Sequence, residues 1–572
     1  RRSRQMSTSV SAHSDDRQRA QLARALMALT ELRGQLDALK QQRPTEPIAV
    51  VGIGCRYPHA KDPRELWELI VQGRNAIGDV PADRFSIDAF HDPRPAARGK
   101  LASRRGGFVA DPWSFDAERF GISPREAARI DPQHRLMLEV CSEAFEDAFM
   151  TKAELAQYTA GVYVGCWASD WECHEYADRD NTDVYSMPGA ARCLISGRVS
   201  FAYDLRGPSL TVDAGCSASL IATHLACQSI WIGECSLAVC GGVNLVLDPK
   251  PGISFSLAGM LAVDGQCKAY DNHADGFVRS DGCGAVVLMP LRLALARGSR
   301  IYAVIRGSGA SNDGFSNGLL ATPSEIGQEA SIRAAYRVAG LSPRDVQYVE
   351  GHGTGTRAGD PVELRALGAV MRERAPDDPC FIGSIKTNIG HTEGAAGVAG
   401  LIKTALALHH RVIPQSLHFQ SPTSLVDWST LNLSVAERSQ PWPAGVARAG
   451  VSSFGISGTD VHMLLEEAPR SAPPSSTRGD EREQLLLISG CSEAALRASA
   501  TAYRALIEKP AAQTGQLRDI CYSAAQGRDH FARRLAAVGG SRQAMLEALD
   551  AFIAGDPHPA LPVPPVDAHD LA

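Results

Sequence analysis

Hydrophobic and polar positions along this chain change period several times, and each change marks an element. The first 20 residues are polar and Ser-rich at their start and are expected to be disordered. Over 21–43, Leu22, Leu29 and Leu36 recur seven apart with Ala25, Leu32 and Leu39 interleaved, up to Pro44. This a/d spacing predicts a coiled-coil helix, marginal alone and needing a second copy or a partner. An amphipathic helix lying on the globular body is the alternative, and Gly34 weakens either. β-type runs follow at 47–55, 161–165, 210–213, 237–243, 285–288, 346–350 and 381–385, with helical segments over 63–72 and 124–148. The segment 217–231 lacks Gly and Pro and is apolar on nearly every face, which places it in the middle of a large core. A second helix begins near Pro361, and the one after His391 is built largely of Gly and Ala, so its neighbours can approach closely. At 451–466 a glycine-punctuated loop runs into a strand.

Beyond a linker at 470–483, residues 484–556 repeat the alternation on a small scale. Strands at 485–488 and 535–538 and helices at 492–507 and 541–553 predict a small α/β unit, followed by a Pro-rich tail at 557–572. A chain of 572 residues exceeds one core, and the hydrophobic share of 44% is ample to fill several. The net charge of −6 gives no general attraction for nucleic acid or an anionic membrane. The one basic cluster is Arg1, Arg2 and Arg4. Fourteen cysteines show no C-x-x-C pair, so they read as reduced thiols. No apolar run is long enough to span a bilayer and no signal-peptide pattern opens the chain, which leads to a cytoplasmic expectation.

Three places carry candidate chemistry. Cys216 stands where a strand turns into the buried helix, with Gly215 beside it to ease the turn. A thiol at a helix N-terminus is biased towards thiolate, although most free cysteines are small buried hydrophobes. His352 lies in Glu350-Gly-His352-Gly-Thr-Gly-Thr356, and His391 in Lys386-Thr-Asn388-Ile-Gly-His391-Thr-Glu393. Either histidine alone is more often structural. Two of them on Gly-flanked loops between a strand and a helix, beside a cysteine elbow, form a constellation. Gly52 and Gly54 follow a strand but lack the third glycine and helix start of a dinucleotide fingerprint. His134 is expected to be structural. Asp271, His273, Asp275 and Asp281 resemble a metal set or, preferably, turn chemistry.

With these motifs and Ser452-Ser-Phe454-Gly in order and spacing, residues 46–469 resemble the β-ketoacyl synthase (ketosynthase) domain of modular type I polyketide synthases. The resemblance implies a thiolase-like fold, two α/β halves stacked as five αβαβα layers, and a homodimer. It makes 21–43 a docking helix for an upstream polyketide synthase subunit, and 484–556 the linker domain that precedes an acyltransferase. It implies that Cys216 takes an acyl chain from the phosphopantetheine arm of an acyl carrier protein. The chain is then condensed with a malonyl-type extender by decarboxylation, with no bound cofactor or metal. His352 and His391 would stabilise the enolate, with Lys386, Asn388 and Glu393 in support. The N–H groups of Cys216 and Phe454 would form the oxyanion hole, and Phe454 would gate the extender entrance.

The chain departs from the family pattern at several positions. The usual Asp-Thr-Ala-Cys-Ser-Ser-Ser is Asp213-Ala-Gly-Cys216-Ser-Ala-Ser219, and the usual Asn-Ala-His is Asp460-Val-His462. Two other readings remain: a non-elongating ketosynthase that only passes chains on, and a non-catalytic chain-length or scaffold partner.

Overall fold

The computed structural model describes residues 27, 45–94, 96–315, 321–375, 377–469, 482–510 and 515–561. The coiled-coil helix expected over 21–43 lies outside the described residues apart from Met27, as do most of the 470–483 linker and the tail from 562.

One mixed sheet of 11 strands organises the main body. Its joint is where Ile48, Ala49 and Val50 pair with Ile305, Val304 and Ala303. On each side of that joint the chain repeats one winding. The first strand is Ile48–Arg56 in one half and Ala303–Asn312 in the other. The second and third run parallel towards the outside: Ala160–Gly165 with Ser209–Val212, and Tyr348–Glu350 with Cys380–Gly383, where an extra parallel strand, Leu433–Val435, forms the edge. The fourth lies parallel to the second, as Leu237–Asn244 and Arg448–Phe454. The fifth, Gly282–Pro290 or Thr459–Glu467, is antiparallel between the fourth and the first. This duplication has no sequence signal, because the halves share a winding order rather than residues.

Alternate side chains of the strands enter different cores, which defines five layers. Val162, Val164, Val239 and Val287 face Met137, Val140 and Phe145 of the helix Pro132–Asp147. Val50, Val286, Val451 and Met463 face inward on Leu220, Ala226, Val398 and Leu401 of two central helices. Val349 and Leu464 face Ile332 and Leu367 of the outer helices Glu325–Ala339 and Gly359–Met371. The result is the thiolase-like αβαβα stack. Gly52 and Gly54 have their role here: a Cβ would lie 2.3 Å from Ala144 O and 2.2 Å from Val140 O, so the pair seats a helix against the strand.

Three sequence expectations shift. The helix expected over 124–148 is two, Pro124–Arg129 and Pro132–Asp147. Pro132 disfavours helical backbone at Asp131, whose carboxylate caps the second helix through Gln133 N at 2.8 Å. The aromatic and acidic segment 167–185, which reads as a loop from its sequence, contains the helix Asp170–Glu175. The 451–466 segment is a hairpin whose first strand begins at Arg448. The small C-terminal unit pairs Gln484–Gly490 with Arg533–Gly539 and covers them with Glu493–Glu508, Arg542–Ala554 and an unforeseen helix, Leu517–Gln526. It rests on the main body through Tyr522 stacked on Phe149 at 6.1 Å and Arg119 over Phe531 at 5.2 Å.

Candidate active site

The cysteine is positioned by a short sequence of backbone requirements. After the strand Ser209–Val212, Asp213 accepts from Gly215 N at 3.2 Å and is itself held by Arg192 at 2.8 Å. Gly215 has φ +59°, a left-handed conformation that glycine adopts without strain. The 3-10 turn Gly215–Ser217 then leads into the helix Ala218–Ile232. That helix lies directly on the strand Ala160–Gly165, since a Cβ on Gly165 would meet Ser219 N at 2.2 Å. Cys216 is left half-buried, its carbonyl accepting from Ser453 Oγ at 2.9 Å. Nothing in the structure requires alanine rather than serine at Ala218.

The expected bias towards thiolate does not hold. Burial pushes the Cys216 thiol up to about 12, and the Glu393 carboxylate acts in the same direction. Lys386 and the backbone N–H groups of Ile456 and of Cys216 itself pull the other way, and are outweighed.

Both histidines come from the second half of the fold. His391 Nε2 stands 3.2 Å from Cys216 Sγ, and its Nδ1 accepts from Glu393 N at 3.1 Å. His352 Nδ1 accepts from Phe454 N at 3.4 Å, and the two imidazoles lie edge to face with centroids 5.6 Å apart. With each Nδ1 taken by a donor, the neutral rings carry their protons on Nε2. Burial, then the Lys386 charge, holds both well below the usual histidine range. The pair therefore offers two neutral N–H donors.

The surrounding residues fix this arrangement. Glu363 accepts from His352 N at 2.6 Å and Gly353 N at 2.8 Å, and Lys386 Nζ donates to the His352 carbonyl. Glu393 N donates to His391 Nδ1, and its φ of +45° turns the chain that follows into the next helix. Its carboxylate meets Arg279 at 2.5 Å and accepts from Trp167 Nε1 at 2.8 Å. Asn388 faces away from the imidazoles and donates to Arg74 O at 3.1 Å, so it holds the loop rather than the rings. Phe454 packs against His352 at 5.8 Å.

Glu363, Arg279, Trp167 and Ile456 were not singled out from the sequence. Glu363 lies eleven positions beyond His352, a spacing that identifies it once the loop–helix unit is folded. The other three reach the site from distant segments. His134 is fully buried on the outer side of the sheet, with its pKa lowered to about 3 by burial. The carboxylates of the Asp-rich loop serve turns and ion pairs. Asp271 accepts from Ser421 N at 2.8 Å, Asp275 meets Lys268 at 2.7 Å, and Asp281 meets Arg84 at 2.7 Å.

Cys216, His352 and His391 open into one cavity of about 430 Å³. Its walls are apolar at Trp167, Phe255, Phe277 and Ile456 and polar at Thr354 and Thr356. Such a cavity suits a flexible chain delivered to a fixed reactive group.

Known proteins resemble this chain in sequence and in fold. Sequence profiles match "Beta-ketoacyl synthase, N-terminal domain" over 45–294, "Beta-ketoacyl synthase, C-terminal domain" over 302–420 and "Ketoacyl-synthetase C-terminal extension" over 422–536. Polyketide synthase GfsA of Streptomyces halstedii is 42% identical over 534 residues, 92% of this chain and 7% of that protein. A phenolphthiocerol/phthiocerol polyketide synthase of Mycobacterium tuberculosis is 40% identical over 535 residues, 93% of this chain and 34% of that protein. The chain thus spans a small part of the curated relatives it matches. The ketosynthase from module 6 of the bacillaene synthase of Bacillus subtilis superposes with a TM-score of 0.79 at 37% identity, covering 90% of this chain and 86% of that one. The oxazolomycin ketosynthase domain OzmH KS7 of Streptomyces albus gives 0.84 at 33%, covering 90% and 89%. With these matches over the fold just described, the chain belongs to the β-ketoacyl synthase family as a ketosynthase of the polyketide synthase type.

Proposed function

We propose that this ketosynthase elongates a polyketide chain, with Cys216, His352 and His391 as its catalytic residues. The single observation that carries the reading is the pair of Nε2–H donors beside the cysteine. In loading, Cys216 Sγ attacks the thioester of a chain carried on an acyl carrier protein. The new S–C bond forms as the carrier's S–C bond breaks, and the thiol proton leaves on the departing carrier sulfur. The oxyanion formed on the way accepts from the N–H groups of Cys216 and Ile456. Ile456 is favoured over Phe454 because its N–H is near enough to Cys216 to lower the thiol's pKa, whereas that of Phe454 reaches His352 Nδ1 at 3.4 Å.

In condensation, the C–CO2 bond of a malonyl-type extender breaks and its electrons pass to the thioester as an enolate. His352 and His391 donate to the enolate oxygen, each donor contributing about 3 kcal/mol to the barrier. The enolate carbon attacks the acyl group, and Cys216 leaves as a thiolate that recovers a proton. No step requires a bound cofactor.

The edge strand Ser209–Val212, with exposed Leu210 beside exposed Phe201 and Ile232, supports assembly as a homodimer. The heptads of 21–43 and the small unit from 484 support an upstream docking partner and a downstream acyltransferase. No helix among the described residues is long and apolar enough to cross a membrane, which accords with a cytoplasmic setting.

Incubation with an acyl thioester and malonyl-carrier protein tests the proposal, with carrier-bound products read by mass spectrometry. A product two carbons longer is expected; transfer without extension would make the protein a transacylating ketosynthase instead.

A further inference from the structure

Two carboxyls that the mechanism does not use meet beside the catalytic cavity. Asp460 lies opposite Phe454 in the antiparallel ladder, at the foot of the turn that carries Ile456. Asp313 closes the same turn from the neighbouring strand, its N–H donating to Gly458 O at 2.9 Å. Both reach Gly327: a Cβ built there would lie 2.3 Å from Asp313 Oδ1 and 2.9 Å from Asp460 Oδ2. Asp460 is fully buried, and no cation is paired with either carboxyl among the described residues. Burial, then the Asp313 charge, raises Asp460, and burial raises Asp313, so the pair favours holding a proton.

A second observation points into the cavity. Gln328, one residue beyond Gly327, is 2% exposed and lines the same cavity as Asp313 and Cys216. Its Oε1 has no hydrogen-bond partner among the described residues. A buried acceptor without a donor is costly, and a ligand that supplies the donor relieves that cost. In this chain the wall has acceptors to spare.

We propose that Asp313 and Gln328, with Asp460 buried behind Asp313, form a hydrogen-bond-accepting wall that selects acyl chains bearing a hydroxyl in the part enclosed by the cavity. The inference rests on the proposed loading of Cys216 and names the substrate class for it. A hydroxyl suits a half-protonated pair, because it can donate to the ionised carboxyl and accept from the protonated one. An ammonium group could donate as well, and is included in the test. A methyl ether has nearly the same shape and no donor, and is rejected because it leaves the acceptors unpaired.

The test uses the full chain and N-acetylcysteamine thioesters of hexanoate, its 3- and 5-hydroxy derivatives, their methyl ethers and the corresponding amines. Pairs compete for Cys216, and intact-mass spectrometry reads the acyl-enzyme ratio. A preference of about tenfold is expected for at least one hydroxy chain over its methyl ether. Gln328→Met and Asp313→Asn should each reduce that ratio to about threefold or less, and the two together should bring it near one. Thermal melting checks that each variant is folded, and Gln328→Met leaves the carboxyl pair in place if Asp313→Asn is unstable. A wild-type ratio near one, or a ratio unmoved in both variants, overturns the wall while leaving elongation intact. A preference confined to the amines overturns the hydroxyl assignment. If no chain loads at all, the elongation reading fails and the wall with it.

Discussion

Two turns of this molecule share a backbone and differ in what they carry. Gly215–Ser217 leads into the 15-residue helix Ala218–Ile232, and Glu393–Ala395 leads into the 15-residue helix Ala396–His410. Each turn opens on a left-handed residue, φ +59° at Gly215 and +45° at Glu393. Each helix also ends on one, at Gly233 and Arg411. The first turn uses glycine, so the conformation is unstrained and Cys216 follows it. The second places a glutamate in a region that costs a residue with a side chain about 1–2 kcal/mol. That strain is held by the Arg279 ion pair and the Trp167 hydrogen bond. What the glutamate gains is its carboxylate, which ties Arg279 and Trp167 to the loop that carries His391. One turn is shaped for access and the other for orientation.

The comparison can be broken most completely at the cysteine. Cys216→Ala is expected to abolish acyl loading, seen as loss of the acyl mass shift on the intact protein. Next comes the glutamate's support. Arg279→Ala leaves Glu393 buried without its partner and should lower stability by about 3–5 kcal/mol, read from the urea midpoint. A shift under about 1 kcal/mol would show that the strained turn holds itself. His352→Ala removes one enolate donor and should slow decarboxylation by roughly 100-fold while sparing acylation, both followed by mass spectrometry. Equal loss of both activities would place His352 in loading as well. Gly215→Ala tests the unstrained turn. It adds a left-handed alanine whose Cβ lies 3.2 Å from Ile456 Cγ2, with an expected cost of about 1–2 kcal/mol.

The smallest effect concerns protonation. With the Cys216 thiol raised to about 12, the thiolate is a minor form at neutral pH. Alkylation by iodoacetamide should therefore climb about tenfold per pH unit between about pH 6 and about pH 10. A rate already level below pH 7 would restore the thiolate expected from the helix terminus.

Much of this site is legible in the sequence because its parts are local. Cys216 follows a strand and precedes an apolar helix, and the two histidines sit on glycine-flanked loops, so period and punctuation mark all three. What escapes is set by distant contacts. The charge state of Cys216 depends on burial and on Glu393, which a helix-terminus argument omits. Arg279 and Trp167 meet at Glu393 from separate segments, more than 100 residues apart in the chain from it. The halves themselves were hidden, since a shared winding order leaves no repeat of residues to find.

The close contact of the central helices, where Leu220 lies 2.6 Å from the position a Cβ would take on Gly397, has an evolutionary meaning. A frame of two like halves offers two related turns at its seam. In a symmetric pair of separate chains the two turns would have to share one sequence. Joined in a single polypeptide, they are free to differ, and here one turn carries Cys216 and the other adjoins His391.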